Sequence, residues 1–122
     1  MLALVTGASS GIGLEYAKQL ARDYHTDLLL VSNQEQEQQQ VATELATQYG
    51  VKTIALYADL SKQNAAEELY QYCVDNELTV DILVNNAGII RRIPMHEMAA
   101  ADFRKVIDVD LNAPFIVSKA VL

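Results

Sequence analysis

The sequence predicts an α/β fold in which helices cover a parallel β-sheet. Short apolar runs alternate four times with segments of helical periodicity along the 122 residues. The runs are apolar on both faces of the predicted strands, which is typical of parallel sheets buried between helices. A glycine-rich turn, TGASSGIG (6–13), joins the first run to the first helical segment. These observations predict one domain that is large enough to bury a hydrophobic core.

Each element follows from a local pattern. LALVT (2–6) is an apolar run that stops at glycine, and it predicts the first strand. In the helices, apolar residues recur every three or four positions, as do Val41, Leu45 and Tyr49 in the second helix. Ser61 is expected to cap the third helix. The predicted order is helix from Gly11, strand 27–32, helix 34–49, strand 53–58, helix 61–77, strand 80–85 and helix from about Asp102.

Composition excludes several classes of function. Acidic residues outnumber basic ones by 16 to 9, and the net charge of −7 argues against nucleic-acid or anionic-membrane partners. Cys73 is the single cysteine, which fits a reducing compartment. No apolar run is long enough to span a bilayer, and the start MLALVTG lacks the features of a signal peptide. No cluster has metal-ligand spacing. A cytoplasmic protein without metal is therefore expected.

The glycine-rich turn has the composition of a nucleotide-binding turn. Gly7 permits a tight exit from the strand, Gly11 allows the backbone to approach a phosphate, and Gly13 allows close packing of the helix. Ser9 and Ser10 add hydroxyl donors, and the N-terminus of the helix supplies free N–H groups and a partial positive charge. The alternative is a tight strand-to-helix turn that binds no ligand.

The stretch DVDLNAPF (108–115) is unusual for a helix. Counting along a regular helix places Asp110 on an apolar face with Phe103, Leu111 and Phe115, where a buried carboxylate is unfavourable unless it is paired. Pro114 lacks the N–H that would bond the carbonyl of residue 110. We expect this proline to free that carbonyl, and the alternative is a proline tolerated at a packing kink.

The spacing of the glycines, G-x-x-x-G-x-G after a threonine, resembles the short-chain dehydrogenase/reductase family of classical type. Asp59–Leu60 after the third strand, NNAG (85–88) after the fourth and the helix from 102 are similar to family segments in the same order. The resemblance implies a Rossmann-type sheet with strand order 3-2-1-4 and helices on both faces. Residues 88–122 resemble gluconate 5-dehydrogenase and related sugar-acid dehydrogenases.

The resemblance implies NAD(P) as cofactor and hydride transfer with an alcohol or ketone substrate. Asp59 and Leu60 would contact the adenine ring, NNAG would pass beneath the nicotinamide ribose, and the amides of Asn85 and Asn86 would bond neighbouring strand ends. Without a ligand, NNAG would be a well-capped strand end. The cofactor-binding residues implied are Gly7, Ser9, Ser10, Gly11, Ile12, Gly13, Ser32, Asn33, Asp59, Leu60, Asn86, Ala87 and Gly88.

The choice between NAD and NADP stays open at the sequence level. In the family, the residues after the second strand make this choice, an acid favouring NAD and an arginine NADP. Here they are Ser32 and Asn33, neither acid nor base. Ser32 tolerates a 2′-phosphate, whereas Glu35 and Glu37 would oppose one if they faced the site.

The family's catalytic tyrosine and lysine are absent from the 122 residues. None of the six tyrosines is followed by lysine four positions later, so the Tyr-x-x-x-Lys segment would lie beyond Leu122. The resemblance therefore covers the first half of a family member, a dinucleotide-binding half-domain over residues 1–122. Asp110 falls at the position of the family's catalytic asparagine, whose backbone carbonyl holds a water of the proton relay.

Three functions are consistent with these residues. The first is the cofactor-binding half of a short-chain dehydrogenase, with little or no activity by itself because it lacks the acid/base pair. The second is a non-catalytic nucleotide-binding or scaffold module, and the third is a remnant that binds nothing. The open edge of the fourth strand and the apolar helix from 102 predict that the chain either self-associates as a homo-oligomer or needs the missing half of the family fold to cover them.

Overall fold

The computed structural model describes residues 1–88 and 94–121 and contains a four-stranded parallel sheet. A short 3₁₀ helix spans Met95–Glu97 and a π-helical segment spans Asp108–Asn112. The strands are β1 (Leu2–Thr6), β2 (Asp27–Ser32), β3 (Thr53–Tyr57) and β4 (Ile82–Val84). The helices are α1 (Gly11–Tyr24), α2 (Glu35–Tyr49), α3 (Ala65–Asp75), α4 (Ala100–Ile107) and α5 (Ala113–Val121). Every predicted element is therefore present.

The strands are ordered β3-β2-β1-β4, which confirms the predicted order 3-2-1-4. All three pairings are parallel, and Leu4 lies opposite Leu29 on one side and Leu83 on the other. Because the strands are parallel, their carboxyl ends meet along one edge of the sheet. The segments that follow Thr6, Ser32, Tyr57 and Val84 are thereby brought together.

Helices lie on both faces of the sheet, as the strand pattern predicts. Leu28 and Leu30 point to one face and Leu29 and Val31 to the other, and all four are at most 1% exposed. The first pair packs with residues of α1 and α2, and the second with residues of α3 and α5. Burial of each such side chain contributes about 1.5–3 kcal/mol to the free energy of folding, relative to leaving it exposed. Packing on both faces therefore stabilises the sheet.

One prediction about the helices is wrong. Ser61 does not cap α3, because the helix begins at Ala65 after Asn64, and Ser61 instead bonds back to Asp59.

The stretch from Asp108 to Asn112 interrupts the α-helical bonding. The N–H of Ala113 donates to the carbonyl of Asp108, five residues back, and α5 begins at Ala113. Pro114 follows the π-helical segment within a continuous helical backbone, and this wider turn accommodates a residue that has no N–H to donate. The predicted break in the α-helical pattern is present, in the form of a π-helical segment.

The predicted burial of Asp110 is wrong. The buried residues of this region are Val109, Ala113 and Val117, whereas Asp110 is exposed with Leu111 and Phe115. The π-helical segment advances fewer degrees per residue than an α-helix, so counting α-helical turns through it assigns side chains to the wrong face. No helix within the described ranges is long and apolar enough to cross a membrane.

Candidate functional site

A cleft of about 390 Å³ lies at the carboxyl ends of the four strands. The turn after β1, the end of β2, the segments after β3 and β4, and α4 all line it. The predicted cofactor-binding residues among its lining are Gly7, Ser9, Ser10, Ser32, Asn33, Asp59, Leu60, Asn86, Ala87 and Gly88. The other three predicted residues, Gly11, Ile12 and Gly13, lie in the same turn and the start of α1 but not in the lining.

The three glycines of the turn have different structural roles. Gly7 and Gly11 have φ angles of +67° and +59°, a conformation that residues with a side chain adopt at a cost. A Cβ on Gly11 would meet nothing within 4 Å, so the space in front of it is open. A Cβ on Gly13 would overlap the carbonyl oxygen of Gly7 and the side-chain amide of Asn86. The turn therefore has no room for a side chain at Gly13, whereas the space beside Gly11 is empty.

Thr6 connects the end of β1 to the segment after β4. Its hydroxyl oxygen accepts hydrogen bonds from the N–H groups of Asn86 and Ala87, each at 3.0 Å. The side-chain amide of Asn86 donates to the carbonyl of Gly7 at 3.2 Å. These bonds fix the NNAG segment against the glycine-rich turn. The expected bond from Asn86 to a neighbouring strand end is confirmed.

Asn85 bonds to a helix and not to a strand end, contrary to expectation. Its amide donates to the hydroxyl of Ser118 in α5 at 2.9 Å. The reason is that α5 packs directly over the end of β4, on the side opposite to the glycine-rich turn. Asn85 therefore anchors α5 to the sheet and is absent from the lining of the cleft.

The end of β2 carries a compact hydrogen-bonded group. The hydroxyls of Ser9 and Ser32 lie 3.0 Å apart, and the Ser9 hydroxyl donates to the side-chain oxygen of Gln34 at 2.6 Å. The backbone N–H of Gln34 donates to the Ser32 hydroxyl at 3.0 Å. Ser32 is therefore engaged within the protein, while Gln34, which the sequence analysis did not single out, lines the cleft.

Asp59 is the acidic residue in the lining of the cleft. Hydrogen bonds from the Ser61 hydroxyl at 2.6 Å and the Ser61 N–H at 3.0 Å stabilise its charged form. They lower its pKa below the usual value, and Lys62 and Lys105 act in the same direction. The carboxylate therefore remains ionised and shapes the turn after β3.

Lys105 brings a positive charge to the cleft from α4. Among the cleft-lining residues within 1–88 and 94–121 it is the only cation, and it is exposed. The sequence offered no signal for it, because its position depends on how α4 packs over the strand ends. A lysine at this place supplies electrostatic attraction for a phosphate.

Asp110 lies beside the NNAG segment without lining the cleft. One of its carboxylate oxygens would be 3.4 Å from a Cβ on Gly88. The π-helical segment therefore brings the Asp110 carboxylate close to Gly88. Within the described parts of the chain, no group of three or more His, Cys, Asp or Glu residues could hold a metal ion.

Comparison with known proteins identifies the family. A family model described as short chain dehydrogenase matches residues 1–122. The chain belongs to the short-chain dehydrogenase family. It is 36% identical over 121 residues to the 2-dehydro-3-deoxy-D-gluconate 5-dehydrogenase of Formosa agariphila, a match that covers 99% of this chain and 46% of that protein. The gluconate 5-dehydrogenase of Gluconobacter oxydans is 35% identical over 119 residues, with 98% and 46% covered.

A solved short-chain dehydrogenase has the same fold. The enzyme from Sphingobium yanoikuyae in complex with NADPH superposes with a TM-score of 0.90 at 31% identity, covering 98% of this chain and 46% of that one. This chain thus spans about half the length of the curated relatives described here. The predicted family and the Rossmann-type sheet are confirmed.

Proposed function

We propose that residues 1–122 form a dinucleotide-binding half-domain and that the cleft binds a nicotinamide dinucleotide, NAD(P). The observation that carries the proposal is the glycine-rich turn, in which Gly13 has no room for a side chain and the space in front of Gly11, the residue after the cleft-lining Ser10, is open. Open backbone at the N-terminus of a helix suits a pyrophosphate, since N–H groups and the helix dipole favour negative charge there.

The remaining lining fits the other parts of the dinucleotide. We assign Asp59 and Leu60 to the adenine ring and Asn86, Ala87 and Gly88 to the nicotinamide ribose, and both groups of residues line the cleft. Ile12, 69% exposed at the start of α1, provides an apolar surface beside the turn. When bound, the nicotinamide accepts or supplies the hydride in an oxidoreductase that interconverts an alcohol and a ketone.

We assign Asp110 a catalytic role through its backbone carbonyl, which would hold a water of the proton relay. The support for this assignment is its position: Asp110 falls where the family has its catalytic asparagine, and its side chain lies beside Gly88 of the NNAG segment. The role needs a tyrosine and a lysine that residues 1–122 do not supply in the Tyr-x-x-x-Lys arrangement. We therefore propose that this chain alone has little or no dehydrogenase activity.

A sugar acid such as gluconate is the proposed substrate of the oxidoreductase to which this half-domain belongs. The support is the resemblance of residues 88–122 and the names of the two dehydrogenases described above. We also propose a homo-oligomer. The cytoplasmic location remains a prediction from composition.

Titration of the chain with NADPH and NADH, followed by the fluorescence of the nicotinamide, tests the proposed binding. We expect saturable binding that Gly13→Ala abolishes, because the added Cβ would displace the backbone of the turn. Gly50→Ala is the control for a general loss of stability: Gly50 has a positive φ of +69°, where alanine is strained, and it ends α2 away from the cleft. A folded chain that binds neither nucleotide would disprove the proposal.

A second candidate function is a nucleotide-binding module without catalysis. The cleft at the strand ends fits such a module as well as it fits the half-domain of a dehydrogenase. A turnover assay with gluconate and related hydroxy acids separates the two when it is run on the 122-residue chain and on the chain joined to any downstream coding sequence. Activity restored by the longer chain supports the dehydrogenase, and binding without activity in both supports the module.

A further inference from the structure

The end of β2 contains a closed ring of three hydrogen bonds among Ser9, Ser32 and Gln34. A serine hydroxyl has one proton to donate. The Ser9 proton goes to the side-chain oxygen of Gln34, so the 3.0 Å contact between the two hydroxyls requires Ser32 to be the donor. The Ser32 oxygen then accepts the backbone N–H of Gln34. Both hydroxyl protons are therefore used inside the ring.

This ring determines which atoms face a ligand. Because the side-chain oxygen of Gln34 is held by Ser9, the two N–H groups of its amide are on the opposite side of the same carbon. No bond from this nitrogen occurs within the part of the chain that the structure describes, and Gln34 lines the cleft. The end of β2 thus presents an uncharged hydrogen-bond donor, whereas Ser9 and Ser32 have no proton left to offer.

Among the described residues of the lining, Asp59 carries the charge that opposes an anion and Lys105 the charge that attracts one. Asp59, the acidic residue of the lining, is engaged with Ser61. Glu35 and Glu37, in the first turn of α2, are exposed and do not belong to the lining. The possibility that these two glutamates oppose a phosphate at the cleft therefore finds no support in the geometry.

We propose that Gln34 determines the cofactor specificity of the cleft, an inference that rests on the proposed function. Gln34 selects NADP, which carries a 2′-phosphate, over NAD, which has a free 2′-hydroxyl. In dinucleotide-binding folds, a carboxylate near the end of the second strand accepts hydrogen bonds from the ribose hydroxyls. Gln34 offers donors at this end of the cleft. A phosphate accepts such bonds strongly because the acceptor is charged.

The substitution Gln34→Glu tests this assignment with the least structural change. A glutamate oxygen can still accept the Ser9 proton, so the ring persists, but the exposed atom changes from a donor to a charged acceptor. We expect the affinity for NADPH to fall about tenfold or more, because a bond to a charged group is lost and a repulsion is added. The affinity for NADH should stay within about threefold or rise, since a carboxylate accepts from ribose hydroxyls.

Two further variants separate the donor from general charge effects. Gln34→Ala removes the donor without adding charge and should weaken NADPH but not NADH. Gln36→Glu adds the same charge at an exposed position outside the lining and should leave the ratio of the two affinities within about twofold, since salt screens exposed charges. Adenosine 2′,5′-bisphosphate and 5′-AMP repeat the comparison without the nicotinamide half.

The outcomes distinguish this proposal from the proposed function. Tighter binding of NADPH and of the 2′,5′-bisphosphate by the unmodified chain, lost in Gln34→Glu, supports it. Equal affinities in the unmodified chain, or equal losses for both nucleotides in Gln34→Glu, overturn the specificity assignment while the binding function stands. Binding of neither nucleotide by a folded unmodified chain overturns both.

Discussion

At the scale of single residues, Asp59 links the stability of a turn to pH. Its carboxylate accepts two hydrogen bonds from Ser61, and these lower its pKa below the usual value of 3.8. A lowered pKa in the folded state means that the ionised form stabilises the fold. That contribution is complete above the unfolded-state pKa and is lost as the pH falls through the folded-state pKa.

Ser61→Ala should therefore destabilise the chain in a pH-dependent way. At pH 7 we expect the free energy of unfolding to fall by about 1 kcal/mol, the usual loss for one hydrogen bond. The difference from the unmodified chain should close as the pH falls below 3.8, when Asp59 becomes protonated. Urea denaturation over a pH series measures this. Ser61→Thr, which keeps the hydroxyl, is the control, and a difference independent of pH would contradict the explanation.

Gln34 and Lys105 show why some site residues could not be predicted from sequence. Neither belongs to a recognised motif. Lys105 reaches the cleft because α4 packs over the strand ends, and the side chain of Gln34 is oriented by the bond from Ser9, which belongs to the turn after another strand. By contrast, Gly7, Asp59 and Asn86 follow strands directly, so their place at the carboxyl edge was predictable. Sequence reasoning finds residues whose position depends on one element and misses those whose position depends on packing between elements.

At the scale of elements, Thr6 ties β1 to the segment after β4. Thr6 and Thr26 are both 1% exposed, but their hydroxyls differ in surroundings. The Thr6 hydroxyl accepts hydrogen bonds from two backbone N–H groups, whereas the Thr26 hydroxyl has no hydrogen-bond partner among the described residues. The two residues therefore form a matched pair for the same substitution.

Thr6→Val should lower the free energy of unfolding by about 1–3 kcal/mol, because two partly buried N–H groups lose their acceptor. It should also weaken dinucleotide binding, since the NNAG segment is no longer fixed against the glycine-rich turn. Thr26→Val should be neutral or stabilising, because it removes a buried hydroxyl without a partner. Thermal and chemical denaturation measure both effects. Equal losses in the two variants would refute this role of Thr6.

The elements themselves were predictable because their signals are local. Unbroken apolar runs located the strands to within two residues, for example 80–85 predicted against Ile82–Val84 observed. The prediction that Ser61 caps α3 is wrong because the sequence does not show whether a serine bonds to the helix that follows it or to a preceding acid such as Asp59. The prediction that Asp110 lies on the buried face is wrong because a π-helical segment shifts the periodicity on which the prediction relied.

At the scale of the whole molecule, large apolar side chains remain exposed on one side. Phe103, Leu111 and Phe115 are 57%, 61% and 67% exposed, and all three lie on the surface formed by α4, the π-helical segment and α5. The net charge of −7 causes only weak repulsion between copies of the chain at physiological salt, because the salt screens it. Such a surface favours association.

We therefore expect the chain to self-associate through this surface. Phe115→Glu should shift the sedimentation coefficient toward that of a monomer of 13.5 kDa without lowering the melting temperature by more than a few degrees. Tyr24→Glu, at an exposed position at the end of α1, is the control and should leave the association unchanged. A monomer before any substitution would contradict the expectation.

The central claim is that the cleft at the strand ends binds a nicotinamide dinucleotide. The most direct measurement is a titration of the ¹⁵N-labelled chain with NADPH, followed by the NMR shifts of its backbone amides. We predict saturable shifts at Gly11, Ser32 and Asn86 and unchanged amides at the opposite end of the sheet, such as Lys52 and Asp81. Saturable shifts only outside the cleft, or none in a folded chain, would contradict the claim.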